Sequence, residues 1–272
     1  MPKDPNILRH STDMSELART AIEFAASDQQ ADIDTLLASL STQEFLERLD
    51  SDAKEDQSPD HLRLARVLCI LMDNTKTGAA HTGLVSLTSI REFTENESRK
   101  ELLIRALVAV EPSPPSVINF WDANSRPDST WRHVVMDVIC ENGSEPAIRL
   151  LEKKFTDKLM DPDEVVAWMR KPVYRHRLDL PLLEACKRMI TTTLAPALKP
   201  YLVEALFDSL GRYFLTSRTP PTPPDFATAS RAAREILEEI AIYVLDSDNN
   251  IHLTPQTRLA VEAKLKLIKS HE

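Results

Sequence analysis

The chain has 272 residues, a formal net charge of −9 and only four glycines, whereas average usage of about 7% would give about 19. Parallel α/β folds and phosphate-binding loops need glycine where the backbone turns tightly or approaches a ligand, so the composition argues against nucleotide-binding folds of those kinds. The acidic charge repels polyanions and makes nucleic acid an unfavourable partner. No stretch alternates apolar and polar residues long enough to predict a strand, so the predicted fold class is all-α.

The N-terminal part begins with a predicted loose tail at residues 1–12. Helices are then predicted where a capping residue or a proline precedes apolar residues at helical spacing. They cover residues 12–26, 32–40, 42–49 and 59–72. The acidic, polar segment 50–58 is predicted to be a loop.

Residues 98–159 contain two copies of one pattern at an offset of about 31 residues. The residues that recur are Ser98 and Ser129, Ser113 and Ser144, and Pro115 and Pro146. Apolar positions recur at the same offset, which is typical of stacked helical hairpins. Ser98 with Glu101 forms a predicted capping box, and Ser113 and Ser144 are predicted caps of the second helices. Asn142-Gly143 predicts a left-handed helix end.

A third copy is predicted to begin at Asp60, with its second cap at Thr82. Its two caps are about 22 residues apart, against about 15 in the other copies, and the extra length falls at residues 74–80. Insertions in repeat proteins map to loops and often carry function, although a tolerated loop would have the same sequence.

These paired amphipathic helices resemble the HEAT-repeat and related α-solenoid families. The resemblance implies an array of antiparallel helix pairs in which the second helix of each pair lines a surface that binds another protein. The alternative is a set of adjacent helices in an irregular all-α domain.

The spacing becomes irregular after residue 159. Helices are predicted at 161–169, where Pro172 stops the first of them, and then at 181–194, 196–215, 226–245 and 255–269. The proline-rich segment 217–225 predicts an extended linker or a long loop. The predicted organisation is therefore a helical-repeat array at 1–216, the linker at 217–225, and a C-terminal helical hairpin at 226–272 that caps the same array or forms a separate unit.

No motif for catalysis or for binding a metal or cofactor is present in the sequence. The sequence contains no P-loop, zincin signature, nucleophile elbow or Cys-x-x-Cys motif, and no two histidines are spaced four residues apart. The three cysteines, Cys69, Cys140 and Cys186, are predicted to be buried thiols in a reducing compartment. The longest apolar run, 67–72, is too short to cross a bilayer, and the N-terminus lacks a secretion signal, so the predicted location is cytoplasmic.

Ile118 and Trp121 are the first candidate partner-binding residues. They align with Arg149 and Glu152 in the second copy, so two bulky apolar side chains occupy positions that are charged in the neighbouring repeat. On an exposed face they would form a contact anchor for a partner. The alternative is that local packing differs and both side chains belong to the core.

The second candidate site is a basic cluster after the helix that is predicted to end before Pro172. Its members are Arg170, Lys171, Tyr174, Arg175 and Arg177. Guanidinium groups on a loop would suit a partner with an acidic patch. The alternative is that these side chains stay solvated and pair with nearby aspartates.

The predicted function is a non-enzymatic protein-binding scaffold or adaptor. An inhibitor or immunity-type protein that masks one target is the alternative within the binding class. A remote enzymatic alternative is a HEAT-like DNA glycosylase that uses Trp121, Trp131 and Trp168, but such an enzyme needs a basic groove for its DNA.

Overall fold

The computed structural model describes residues 3–50, 63–175, 179–192, 194–207 and 230–270, with the side chains of 171–175 left out. Within these ranges the regular structure is helical and there is no β-strand, which confirms the all-α prediction. None of the helices in the described ranges has the length and apolar character needed to span a membrane.

The chain divides into two compact units. Unit 1 comprises residues 1–125 and 129–138, and unit 2 comprises residues 126–128 and 139–272. The predicted linker at 217–225 lies outside the described residues. Helices 231–245 and 255–269, which follow it, belong to unit 2.

Unit 1 contains nine described helices and the start of a tenth. They are α1 (Pro5–His10), α2 (Met14–Ala25), α3 (Gln30–Leu40), α4 (Gln43–Asp50), α5 (Arg63–Asp73), α6 (Gly78–Leu87), α7 (Arg91–Thr94), α8 (Glu97–Ala106), α9 (Pro115–Asn124) and the part of α10 (Arg132–Asn142) up to Val138. Helix α5 packs between α2 and α8, and α6 packs against both α3 and α5. Leu36, Leu68 and Leu84 are among the fully or almost fully buried aliphatic side chains of these helices. Burying each such side chain stabilises the fold by roughly 1.5–3 kcal/mol.

Unit 2 contains the end of α10 and six further described helices. These are α11 (Glu145–Thr156), α12 (Pro162–Arg175), α13 (Leu180–Thr191), α14 (Lys199–Phe207), α15 (Arg231–Leu245) and α16 (Pro255–Lys269). Helix α13 packs between α11 and α15, and α14 packs between α12 and α16. The helices therefore form two rows, and α13 contacts α14 and α15 contacts α16 between the rows.

Several predicted helix ends agree with the structure. Asp13 caps α2, and its carboxylate accepts hydrogen bonds from the amides of Ser15 and Glu16. Helix α16 begins at Pro255, as predicted, after Thr254, whose hydroxyl accepts a hydrogen bond from the Thr257 amide. Gly143 follows α10 with a φ of 63°, as predicted for a left-handed helix end. These ends were predictable because capping depends on residues close together in the sequence.

Other predicted caps are wrong by a few residues. Asn96, not Ser98, caps α8, because its side chain accepts a hydrogen bond from the Arg99 amide and the helix starts one residue before Ser98. The Ser113 hydroxyl instead donates to the carbonyl of Val110, and Pro114 occupies the cap position of α9. Ser144 does occupy the cap position of α11, but its side chain makes no capping hydrogen bond.

The predicted tail and the predicted insertion are also partly helical. Residues 5–10 form α1, which packs against α2 and α3, because Leu8 is buried there. Thr77, not Thr82, caps α6, so most of the extra length at 74–80 is a turn followed by the start of that helix. The described helix near the C-terminus starts at Arg231 after the Ser230 cap, and residues 226–229 lie outside the described ranges.

Helix α12 does not end before Pro172. It continues to Arg175, so the prediction of a loop in this stretch is wrong. A proline inside a helix removes one hydrogen bond and costs about 3 kcal/mol. Helix α12 packs along α14 and buries Val165, Trp168 and Met169, and this tertiary packing offsets the local cost.

Candidate functional site

Helix α13 is covered on most of its surface and exposes one narrow stripe. Six of its side chains are buried, including Leu182, Cys186 and Met189. The exposed stripe consists of Leu180, Pro181, Glu184 and Arg188. Residues spaced by four lie on one helical face, so these side chains point the same way. The stripe is narrow because α11, α14 and α15 cover the other faces.

The stripe of α13 and a matching stripe of α11 enclose an open groove of about 700 Å³. We call it the α11–α13 groove. Its lining residues are Glu145, Ile148, Arg149 and Glu152 of α11, and Leu180, Pro181, Glu184 and Arg188 of α13. The lining residues span about two helical turns on each side. At 1.5 Å per residue, the groove is therefore roughly 10–12 Å long.

The floor and rim of the groove differ in chemistry. Ile148 is almost fully buried at 4% exposure, whereas Leu180 is 41% exposed and offers an aliphatic surface to solvent. Four of the charged rim residues form two ion pairs. Such a combination of apolar floor and charged rim is common where proteins bind segments of other proteins.

The ion pair between Glu152 and Arg188 joins the two helices. The Arg188 Nε and a terminal guanidinium nitrogen each donate to one oxygen of the Glu152 carboxylate at 2.8 Å. This hydrogen bonding by Glu152 raises the pKa of Arg188 above its ordinary value. Each lining stripe therefore begins in the first turn of its helix. The two stripes end at the Glu152–Arg188 ion pair, which links α11 to α13.

Glu145 and Arg149 form the second ion pair, within α11. Both side chains are mostly exposed, at 61% and 71%, so this pair contributes little to stability and can rearrange when a ligand binds. The groove thus has three carboxylates and two guanidinium groups. The third carboxylate belongs to Glu184, which forms no ion pair within the described part of the chain.

The lining can hold a ligand by noncovalent contacts. It offers carboxylates, guanidinium groups and aliphatic carbon. Cys186 lies on α13, but it is completely buried, and burial raises the pKa of its thiol to about 12. That thiol therefore stays protonated near neutral pH and is not a nucleophile for the groove.

A second cavity, of about 510 Å³, lies between α1, α3 and α4 in unit 1. Its most prominent basic group, Arg48, donates hydrogen bonds to the carbonyl groups of Arg9 and Ser11 at the end of α1. The hydroxyl groups of Thr35 and Ser39 donate to backbone carbonyls within α3, and the Thr42 hydroxyl donates to the carbonyl of Ser39 near the end of that helix. Arg48 therefore joins α4 to the end of α1, and the three hydroxyl groups are already hydrogen-bonded locally.

Ile118 and Trp121, the first candidate partner-binding residues, differ in how deeply they are buried. Ile118 is half-buried on α9, while Trp121 is fully buried, with 0% exposure. The burial of Trp121 matches the alternative that it is a core residue. Glu152, its counterpart in the second copy, lies on the rim of the groove. The two copies are therefore similar in spacing but differ in which face is buried.

The basic cluster also differs from its prediction. Arg170 is 2% exposed, and its guanidinium lies 3.3 Å from the carboxylate of Glu204 on α14. It belongs to the contact between α12 and α14 and is not on a loop. Lys171, Tyr174 and Arg175 have their backbone in α12, but their side chains lie outside the described residues, as does all of Arg177.

The three tryptophans do not share one exposed groove. Trp121 and Trp168 are buried, at 0% and 4% exposure. Trp131 is half-buried, and the Lys100 ammonium lies 5.9 Å from the centre of its ring. A glycosylase needs aromatic side chains that reach the nucleic acid, and two of these three do not reach the surface.

Sequence reasoning did not find the groove. Leu180, Glu184 and Arg188 recur at four-residue spacing, which is a signal for one helical face. The sequence contains no signal that α11 lies beside this face, because α12 separates the two helices along the chain. The neighbouring stripe was therefore not predictable from local patterns.

The chain was compared with protein-family models, with curated proteins and with solved structures, and nothing in the three comparisons matches it.

Proposed function

We propose that this protein is a non-enzymatic protein-binding scaffold or adaptor whose α11–α13 groove holds a short segment of a partner. The observation that carries this proposal is Leu180, which is 41% exposed at the edge of a groove with a buried aliphatic floor. A partner side chain that covers Leu180 removes apolar surface from water. Burial of such surface favours binding, and the cost of ordering the partner segment offsets part of this gain.

We further propose that the helices are organised as an α-solenoid. The support is the order of packing, in which α13 contacts α11 and α15 while α14 contacts α12 and α16. Unit 1 has a similar order, since α5 lies between α2 and α8. Packing of each helix against its nearest equivalents is the arrangement that repeat proteins use.

The location of the groove is consistent with this organisation. Helix α11 is the second helix of the second sequence copy, and α13 and α15 continue its row. The resemblance to HEAT repeats assigns partner binding to the row of second helices. The groove lies on that row, which supports a role in binding.

Selection from a random peptide library displayed on phage tests this function with the full chain. We expect the wild-type protein to enrich peptides that compete with one another for one site. The variant Leu180→Asp should lose these peptides, because a carboxylate replaces the aliphatic surface. The variant should still fold, since an acidic residue is favourable in the first turn of a helix.

Leu259→Asp is the matched control. Leu259 is an equally large side chain, 66% exposed on α16 outside the groove. This variant should bind the selected peptides as the wild type does. Enriched peptides that bind Leu180→Asp with unchanged affinity, or a selection that enriches nothing, would reject the groove as the binding site.

A further inference from the structure

Within the described part of unit 2, some charged side chains of the α11–α13 groove already have an ion-pair partner, and one does not. Arg188 is held by both oxygens of Glu152, and Arg149 is paired with Glu145. Lys187, the next cation on α13, is paired with Glu239 of α15. These three cations are therefore already occupied within unit 2.

Glu184 is the exposed carboxylate that remains. It raises the pKa of Lys187 and of Arg188 only as a minor influence, after their ion-pair partners Glu239 and Glu152. Within the described ranges no cation lies within ion-pair distance of it. Glu184 also lies one helical turn after Leu180, so its carboxylate is adjacent to the exposed aliphatic surface.

We propose that the groove selects a partner segment in which a lysine or arginine lies next to an aliphatic residue, with Glu184 binding the cation and Leu180 binding the aliphatic side chain. This inference rests on the proposed function. The length of the groove fits about three to four extended residues at roughly 3.3 Å each, so a short motif suffices. An acidic segment would bind less well, because it would meet the Glu184 carboxylate while Arg188 is already held by both oxygens of Glu152.

A charge-reversal experiment tests this assignment. Peptides are selected from the same phage library with wild-type protein and with Glu184→Lys. We expect a lysine or arginine beside an aliphatic residue in the wild-type peptides, and an aspartate or glutamate at the same position with the variant. The best wild-type peptide should bind Glu184→Lys about 3- to 10-fold more weakly, a loss that should shrink at high salt.

Two controls separate the effect of charge from the effect of folding. Glu47→Lys makes the same charge change at an exposed position of α4 and should bind wild-type peptides with unchanged affinity. Glu184→Gln removes the charge without adding a cation and should show an intermediate affinity. Circular dichroism should give the same helix content for all variants.

The outcomes distinguish the two proposals. If the selected peptides depend on Leu180 but show no basic residue, and Glu184→Lys selects the same sequences, the charge assignment is wrong while the groove remains the binding site. If the peptides are insensitive to both Leu180→Asp and Glu184→Lys, the proposed function of the groove fails as well.

Discussion

Trp121 is the largest fully buried side chain in the described part of the chain. Its indole nitrogen is buried without a hydrogen-bond partner among the described residues. The side chain therefore stabilises unit 1 by its volume and apolar area. Within the described part of the chain, its ring N–H therefore contributes no hydrogen bond.

We expect Trp121→Ala to lower the free energy of unfolding by about 3–5 kcal/mol, as large truncations in a core do. Trp121→Phe should lose less, because it keeps an aromatic ring and breaks no hydrogen bond. Urea unfolding followed by circular dichroism measures both. A change below about 1 kcal/mol for Trp121→Ala, typical of surface sites, would show that the side chain is not in the core.

The three cysteines differ in exposure, which corrects the prediction that all are buried. Cys69 is exposed on α5, whereas Cys140 and Cys186 are buried. A chromogenic thiol reagent should label one cysteine rapidly in the native protein and all three in urea. Cys69→Ser should remove the rapid phase. Rapid labelling that persists in this variant would mean that a buried thiol becomes accessible.

Asp32 should make stability depend on pH at the acid end. The Lys3 ammonium and the Ser27 hydroxyl hold the pKa of this carboxyl below its ordinary value of 3.8. A carboxyl whose pKa is lowered on folding contributes stability above the unfolded value, and this contribution is lost as the pH falls through the folded value.

We therefore expect Asp32→Asn to destabilise the protein at pH 7 and to differ less from wild type as the pH falls below about 3.8. Urea unfolding at several pH values measures this difference. Lys3→Met should remove much of the same stability, and the double variant should lose less than the sum of the two. A difference from wild type that is constant down to pH 3 would contradict the ion pair.

Gly83 of α6 lies against Ile33 of α3, and these two helices pack together. A Cβ atom at this position would lie 2.8 Å from Cγ2 of Ile33, which is fully buried on α3. Gly78, at the start of α6, has open space around the same position. A side chain at position 83 would therefore clash with α3, whereas a side chain at position 78 would not.

Gly83→Ala should destabilise unit 1, because overpacking costs about 1–3 kcal/mol and exceeds the roughly 1 kcal/mol that alanine gains in helix propensity. Gly78→Ala should instead stabilise the protein by about 0.4–1 kcal/mol. Thermal unfolding of the two variants measures the opposite signs. A stabilising Gly83→Ala would show that α3 and α6 are not packed this closely.

On the scale of the whole molecule, the net charge of −9 argues against the DNA-glycosylase alternative, because it repels nucleic acid. We expect no shift of a DNA duplex on a gel at protein concentrations up to about 100 µM, the weak end of nonspecific binding. Lowering the salt should not produce a shift, because repulsion then increases. A shift that appears only at low salt would point to a basic face that outweighs the total charge.

The sequence by itself determined the helical class, and it located most helices to within a few residues. The absence of strand patterns, the Asp13 cap, the helix start at Pro255 and the left-handed Gly143 all depend on residues that are close along the chain. Periodicity and capping are local properties, so they can be read before the fold is known.

Only the tertiary structure decided which faces of the helices are covered. It buried Trp121 and Arg170, continued α12 through Pro172, and brought the stripe of α11 beside the stripe of α13. The burial of Arg170, the continuation of α12 and the pairing of the two stripes depend on contacts between helices that are separated by another helix. Packing energy from such contacts exceeds local preferences of a few kcal/mol, and local patterns carry no information about which helices meet.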